Sequence, residues 1–182
     1  MPKVDARKFN RLIEPHLEAV YRAAFRLVRN KADADDLVQE TCIRAIQQLA
    51  DLHESQSVKA WMLTVMQNLF VDGARRDRRS PITRGNADDA VELASLGSSP
   101  EELAIMRQRE EKLQDAWASL DRSHRILLAL RAEGYATSEI SAITGVPVDA
   151  LYARLYRARL KLAEHLNDKP STELEGRMEI AK

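Results

Sequence analysis

Apolar residues recur at helical spacing along most of this chain, and no run alternates convincingly in the two-residue period of a strand. From Leu17, the positions Val20, Tyr21, Ala24, Leu27 and Val28 define one amphipathic face, with Pro15 acceptable in a first turn. Asp33 is placed to cap the next helix, whose apolar stripe is Val38, Cys42, Ala45, Ile46 and Leu49. A third helix is predicted from near Ser57 past Arg76. Leu63, Met66 and Phe70 form one apolar flank, and Val65 and Leu69 another; Thr64, Asn68, Asp72 and Arg75 make a polar stripe, with Trp61 at a similar angle. From Ser80 to Pro100 the pattern breaks at Pro81, Gly85, Gly97 and Pro100, which reads as a linker. Periodicity returns with Leu103, Met106, Leu113, Ala116, Trp117 and Leu120, and shorter helices follow to about Leu166. The tail beyond is polar, apart from a short helical pattern around Leu174 to Ile180. The expectation is an all-α chain of two small helical domains, residues 5–79 and 101–167, joined by a flexible acidic linker, 80–100, and followed by a polar tail, 168–182.

Composition narrows this picture. The 182 residues carry 28 basic and 28 acidic side chains, so no overall basic field argues for nucleic-acid binding, and only the distribution of charge can. The single cysteine, Cys42, excludes an intrachain disulfide framework and a cysteine-rich zinc site. Residues 1–10 lack the apolar core of a signal peptide, and no apolar run approaches the ~20 residues of a membrane span. These features predict a soluble, cytoplasmic chain.

The sharpest local signal lies between Ala136 and Leu166. Thr137 is a natural N-cap for a short helix anchored by Ile140 and Ile143; Gly145 ends it, Val146-Pro147 connects, and a long helix starts near Val148. Two helices joined by a short glycine-containing turn form a helix-turn-helix pattern. At about 100° per residue, Leu151, Leu155, Ala158 and Leu162 face the core. Asp149, Ala153, Tyr156 and Arg157 lie opposite, flanked by Tyr152 and Arg154. Arg154, Arg157, Arg159 and Lys161 occur with no acidic residue from Ala150 through Ala163, as suits a helix that enters a major groove and grips phosphates or guanine edges. A solvated basic face on a structural helix is the bland alternative.

Two clusters mark the N-terminal module. The acids Asp33, Asp35, Asp36 and Glu40 open the second helix, where they also complement its dipole. They follow one another along a helix start rather than converging, and no histidine joins them, so a metal site is rejected. With Leu37, Gln39 and Arg44 beside them, they make a mixed surface suited to protein docking. The third helix ends in Arg75, Arg76, Arg78 and Arg79, which with Asn68 and Trp61 could hold unstacked bases and their phosphates. A core residue is the plainer reading of Trp61.

These residues resemble a known family. Asp35-Asp36-Leu37-Val38-Gln39-Glu40-Thr41, then Ala60-Trp61-Met62-Leu63-Thr64-Val65 with Asn68 and Asp72, resembles the second conserved region of bacterial sigma factors. The helix-turn-helix ending Arg154-Leu155-Tyr156-Arg157-Ala158-Arg159 resembles their fourth region. A short chain with only these two regions is similar to the extracytoplasmic-function (ECF) group, a part of the sigma-70 family. The resemblance implies docking of Asp35, Asp36, Leu37, Gln39 and Glu40 on the β′ clamp helices of core RNA polymerase. It implies −10 recognition and melting by Trp61, Asn68, Asp72, Arg75, Arg76, Arg78 and Arg79, with the loop Asp51 to Ser57 helping to pocket a flipped base. Tyr152, Ala153, Arg154, Tyr156, Arg157, Arg159 and Lys161 would read or brace the −35 duplex. The implied partners are core polymerase, through the β′ clamp helices and the β flap, promoter DNA, and an anti-sigma factor, soluble or membrane-anchored; no cofactor, metal or small-molecule substrate is implied. The chain departs from the family's glycine-threonine-valine-basic-serine opening of the recognition helix, with Asp149-Ala150-Leu151-Tyr152-Ala153 instead, and Ser141 and Thr144 occupy usual core positions.

Two other classes compete. A sigma-like decoy would sequester an anti-sigma factor without reading promoters, and retention of both arginine clusters argues against it. A helical nuclease would need convergent carboxylates or a histidine-metal set, whereas His16, His53, His124 and His165 are scattered.

Overall fold

The computed structural model describes residues 6–49, 51–52, 57–77 and 99–166, with side chains 74–77 left out. Among them, the elements are all helical: α1 (Ala6–Leu12), a 3-10 turn (Glu14–His16), α2 (Leu17–Val28), α3 (Lys31–Gln47), α4 (Val58–Asp77), α5 (Pro100–Ser119), α6 (Arg122–Ala132), α7 (Thr137–Thr144) and α8 (Val148–Leu166). No described helix is long and apolar enough to cross a membrane.

The ends of the helices show how local chemistry sets the turns. Arg29 closes α2 in the left-handed region (φ 54°), and Asn30 returns to extended backbone to open α3. Asn30, not Asp33, is the N-cap: its side chain accepts from the Asp33 amide at 3.0 Å. Asp33 sits one turn inside, where its charge suits the dipole. The predicted linker ends earlier than Pro100, because Ser99 and Glu102 form a reciprocal capping box with Pro100 in the first turn of α5. At α7 the N-cap is Ala136 rather than Thr137; Ala136 has no side-chain acceptor for the first-turn amides, and the Glu139 carboxylate instead accepts the Ala136 amide at 2.8 Å. The short helix α1 carries too little periodicity to be legible in the sequence. The rest of the linker and the tail, including the Leu174–Ile180 pattern, lie outside the described residues.

The first module packs α2, α3 and α4 on one another around Val20, Ala23, Ala24, Leu27, Ala45, Met62, Leu63 and Met66. In α3 the buried stripe is Ala34, Thr41 and Ala45, continued by Leu49 just past its end, with Val38 and Leu37 half-buried against it. Thr41 is tolerated at full burial because its hydroxyl donates to the Leu37 carbonyl at 2.7 Å. The second module packs α5, α6 and α7 against α8.

The two modules are not separate bodies, as a linker between domains would allow; one continuous apolar core runs through both. Helix α6 explains why. Ile126, Leu127, Leu128, Ala129 and Leu130 are all buried in succession, a pattern that an α-helix shows only when covered on most sides. It packs on α7 and α8 within its own module and on α2 and α4 of the other. Polar contacts follow the same seam. The Trp117 indole donates to the Leu27 carbonyl at 2.9 Å. Arg22 and Arg26 both pair with Glu133, whose side chain is only 8% exposed, and Arg29 pairs with Glu110. Arg122 donates to the Phe70 carbonyl, and the guanidinium groups of Arg122 and Arg125 lie 4.7 and 5.6 Å from the Phe70 ring centre.

Candidate functional site

Three exposed faces carry the residues singled out by the sequence. The first is on α3. Asp35, Asp36 and Gln39 are exposed, Leu37 is half-buried, and Glu40 pairs with Arg44 at 3.3 Å across one helical turn. Ile43, 41% exposed, extends this face one turn further. In the sequence, an apolar residue beside Cys42 is indistinguishable from core, and only its exposure in the fold sets it apart. An exposed aliphatic flanked by carboxylates is the composition of a protein-docking patch with a polar rim.

The second face is on α4. Asn68 and Asp72 are exposed and share one side, with Val71 exposed beside them. Trp61 is half-buried and packs against the core cluster, so its ring serves structure whatever else its edge contacts. Arg75 and Arg76 lie in the last turns of α4, but their side chains, together with Arg78, Arg79 and residues 53–56 of the predicted pocket loop, lie outside the described residues.

Thr64 departs from the predicted polar stripe. It turns with Gln67 toward α7, and Gln67 is buried. The cause is chemical. Ile143 lies in the last turn of α7, where the left-handed Gly145 ends the helix and leaves this carbonyl without an intrahelical donor, and Pro147 four residues ahead has no N–H to offer. Gln67 supplies the missing donor at 2.6 Å, and the Thr64 hydroxyl lies 3.1 Å from the same oxygen. A pattern of apolar positions cannot foresee this pairing, since donor and acceptor are 76 residues apart.

The third face is the outer side of α8. Gly145 ends α7 in the left-handed conformation (φ 70°) that glycine adopts without strain, and its amide returns to the Ser141 carbonyl at 2.8 Å. Thr144 is no misplaced core residue: its hydroxyl donates to the Ile140 carbonyl and accepts from the Val146 amide, which fixes the turn. Leu151, Leu155 and Ala158 are buried, with Leu162 packed beside them, as the angular reading requires. Tyr152, Ala153, Arg154, Tyr156, Arg157, Arg159 and Lys161 are all exposed. Val148, Tyr152 and Tyr156, exposed by 44%, 65% and 37%, form an apolar stripe one turn apart. Arg154, Arg157 and Arg159 form no ion pair or side-chain hydrogen bond with the described residues, unlike Arg22, Arg26 and Arg29, which are committed to carboxylates. The Asp149 carboxylate accepts the Ala150 amide at 2.9 Å in the first turn, where negative charge is favourable.

Burial raises the Cys42 thiol behind the α3 face, and the other perturbed groups lie away from the three faces. Burial, then the charge of Lys59, holds His16 below its ordinary value. Burial, then the neighbouring Arg122, lowers Arg125. Burial alone would raise Asp121, but bonds from Ser123 and from the His124 amide outweigh it and leave the carboxyl low.

The described residues thus offer an acidic and apolar patch on one helical module and an exposed, uncommitted cationic helix on a helix-turn-helix. Residues 12–80 match the family described as Sigma-70 region 2, and residues 110–162 match Sigma-70, region 4. The ECF RNA polymerase sigma factor EcfG of Rhodopseudomonas palustris is 31% identical over 168 residues, 90% of this chain and 86% of that protein. The probable RNA polymerase sigma factor RfaY of Xanthomonas campestris is 29% identical over 170 residues, 92% of this chain. The chain spans 42% of the length of that relative, and 61% and 62% of two other curated relatives. A solved complex of the sigma factor RpoE with the anti-sigma factor NepR, from Bartonella quintana, shares the fold at a TM-score of 0.62 and 24% identity, covering 89% of this chain and 98% of that one. The chain belongs to the ECF sigma factors of bacterial RNA polymerase.

Proposed function

We propose that this chain is an alternative sigma factor that brings core RNA polymerase to a specific set of promoters, held in check by an anti-sigma factor. The observation that carries the reading is the pairing of the two matched modules, in order, with an α8 whose arginines are exposed and uncommitted. The α3 patch, Asp35, Asp36, Leu37, Gln39 and Glu40, docks on the β′ clamp helices, and the second module meets the β flap. Asn68 and Asp72, continued by Arg75, Arg76, Arg78 and Arg79, follow the melted −10 strand. Tyr152, Ala153, Arg154, Tyr156, Arg157, Arg159 and Lys161 engage the −35 duplex. The functional division falls at residues 5–79 and 101–167, with 80–100 between them and 168–182 as a tail. The mechanism is binding free energy applied to opening DNA, with no covalent step: extruding a base costs a few kcal/mol, which a matched pocket offsets. It operates in the cytoplasm, where the polymerase is, including at the inner membrane when the anti-sigma partner is anchored there.

Complexes of this kind supply the precedent for the anti-sigma partner: the RpoE relative was solved bound to one. In vitro transcription with core polymerase on a genomic promoter library tests the reading. The expected result is initiation from a small set of sites sharing −35 and −10 sequences; core binding without any promoter selection would replace it with a decoy.

A further inference from the structure

The outermost line of α8 is acidic and apolar, while its arginines stand to the sides, and this division limits which bases the helix can read. We propose that Asp149 and Tyr152 are the specificity-determining residues of this face. The Asp149 carboxylate takes the exocyclic amine of a cytosine in the major groove, Tyr152 covers the methyl group of an adjacent thymine, and the arginines hold phosphates. The proposal rests on the sigma-factor reading above.

Angle decides which side chains reach base edges. Leu151, Leu155, Ala158 and Leu162 set the inward direction of α8. At about 100° per residue, Asp149 and Ala153 lie within roughly 30° of the opposite, outermost direction. Arg154 and Arg159 stand roughly 70° from the inward direction, one on each side. A helix in the major groove turns its outermost N-terminal residues to the bases and its flanks to the groove walls, where the phosphates are. Arg157 comes nearer the outermost line, but it lies about two turns beyond Asp149, past the part of the helix that goes deepest. Tyr152 and Val148, one turn apart, occupy the rim of the N-terminal half. At 65%, Tyr152 is the most exposed large hydrophobic residue among those described.

The chemistry of these positions then selects the bases. In the major groove guanine shows two acceptors, adenine an acceptor beside its amine, and thymine an acceptor beside its methyl group; the cytosine edge alone shows a donor without an acceptor. An ionised carboxylate only accepts, so cytosine is the base edge that attracts it without also repelling it. One Asp149 oxygen accepts the Ala150 amide at 2.9 Å, which holds the carboxylate at the helix start and leaves the second oxygen for a ligand. Among phosphates, the same charge weakens binding to sites that lack the cytosine, so exclusion adds to the selection. Where a cation would take guanine, Tyr152 and Val148 present an apolar surface, and the group in the groove that matches it is the C5-methyl of thymine. The exposed Arg154, Arg157 and Arg159 supply the attraction to phosphate that carries an acid into the groove.

A promoter recovered from the genomic library, randomised over its −35 element, is transcribed by holoenzyme made from core polymerase and the full chain. The expected wild-type profile holds a cytosine next to a thymine, with the cytosine preferred on the order of ten-fold. Asp149→Asn should move that one position from cytosine to adenine, because an amide pairs with the adenine amine and N7 together, and leave the other positions as they were. Deoxyuridine in place of the thymine should weaken wild-type binding about four-fold, the worth of one buried methyl group, and leave binding by a Tyr152→Ser holoenzyme unchanged. Arg154→Ala with Arg157→Ala should weaken binding to all sequences alike. These side chains are exposed, and helical circular dichroism shows that each variant is folded. A wild-type profile without the cytosine, an Asp149→Asn profile identical to wild type, or arginine variants that relax one base position would overturn the assignment. A genomic library that yields no promoter at all would reject the sigma-factor reading, and this assignment with it.

Discussion

The Ile143 carbonyl, left without an intrahelical donor in the last turn of α7, is met from another helix. A side chain of α4, Gln67, donates to it and so becomes part of the helix-turn-helix. Gln67→Ala with Thr64→Val, which removes both donors at that oxygen, should therefore cost about 1–3 kcal/mol, the usual penalty for a buried acceptor left unpaired, measured as a shift in the chemical denaturation midpoint. Ala substitution at the neighbouring exposed Asn68 should stay within about 0.5 kcal/mol. On the proposed reading, the arginines of α8 act on DNA and not on the fold. Arg154→Ala with Arg157→Ala should leave stability unchanged, weaken −35 binding by the holoenzyme, and flatten its salt dependence, since each lost phosphate contact lowers the slope by about one. Unaltered promoter-specific transcription would remove these arginines from the interface.

Among the elements, α2, α4, the Gly145 turn and the inward face of α8 were legible, because each is recorded locally as a period of 3.6 or as a residue with a special backbone demand. Caps were less so: Asn30 and Ala136 won over Asp33 and Thr137 because a carboxylate or amide three residues away completes the turn from either direction. What stayed hidden was mutual: Gln67, Glu133 and the fully buried α6 acquire their meaning from partners in the other module. The α3 docking patch lies between these cases, with its acids visible in the sequence and Ile43 only in the fold. Charge reversal of Asp36 and Glu40 should abolish capture of core polymerase while the far-ultraviolet spectrum stays helical. Retained capture would move the docking surface elsewhere.

For the molecule as a whole, a shared core predicts shared unfolding. Leu127→Ala, at the fully buried centre of α6, should destabilise by about 2–5 kcal/mol and lower one cooperative transition, as seen by calorimetry, not a second-module transition alone. Acid should act on the same unit. His16, beside Lys59, has a folded pKa below its unfolded value near 6.5, so the unfolded chain binds the extra proton first. Stability is full above pH ~6.5 and declines as pH falls from there toward the depressed folded value. His16→Gln should flatten that part of a midpoint-against-pH curve.

The indole bond from Trp117 to Leu27 also gives the chain an optical signal of its own state. The sequence holds two tryptophans, Trp61 inside the first module and Trp117 on the boundary. In a Trp61→Phe chain, emission comes from Trp117 alone. Its wavelength should be blue while the ring lies against α2 and move to the red when water replaces the Leu27 carbonyl. A stopped-flow trace of that colour change after a jump into denaturant would time the loss of this contact without any added dye.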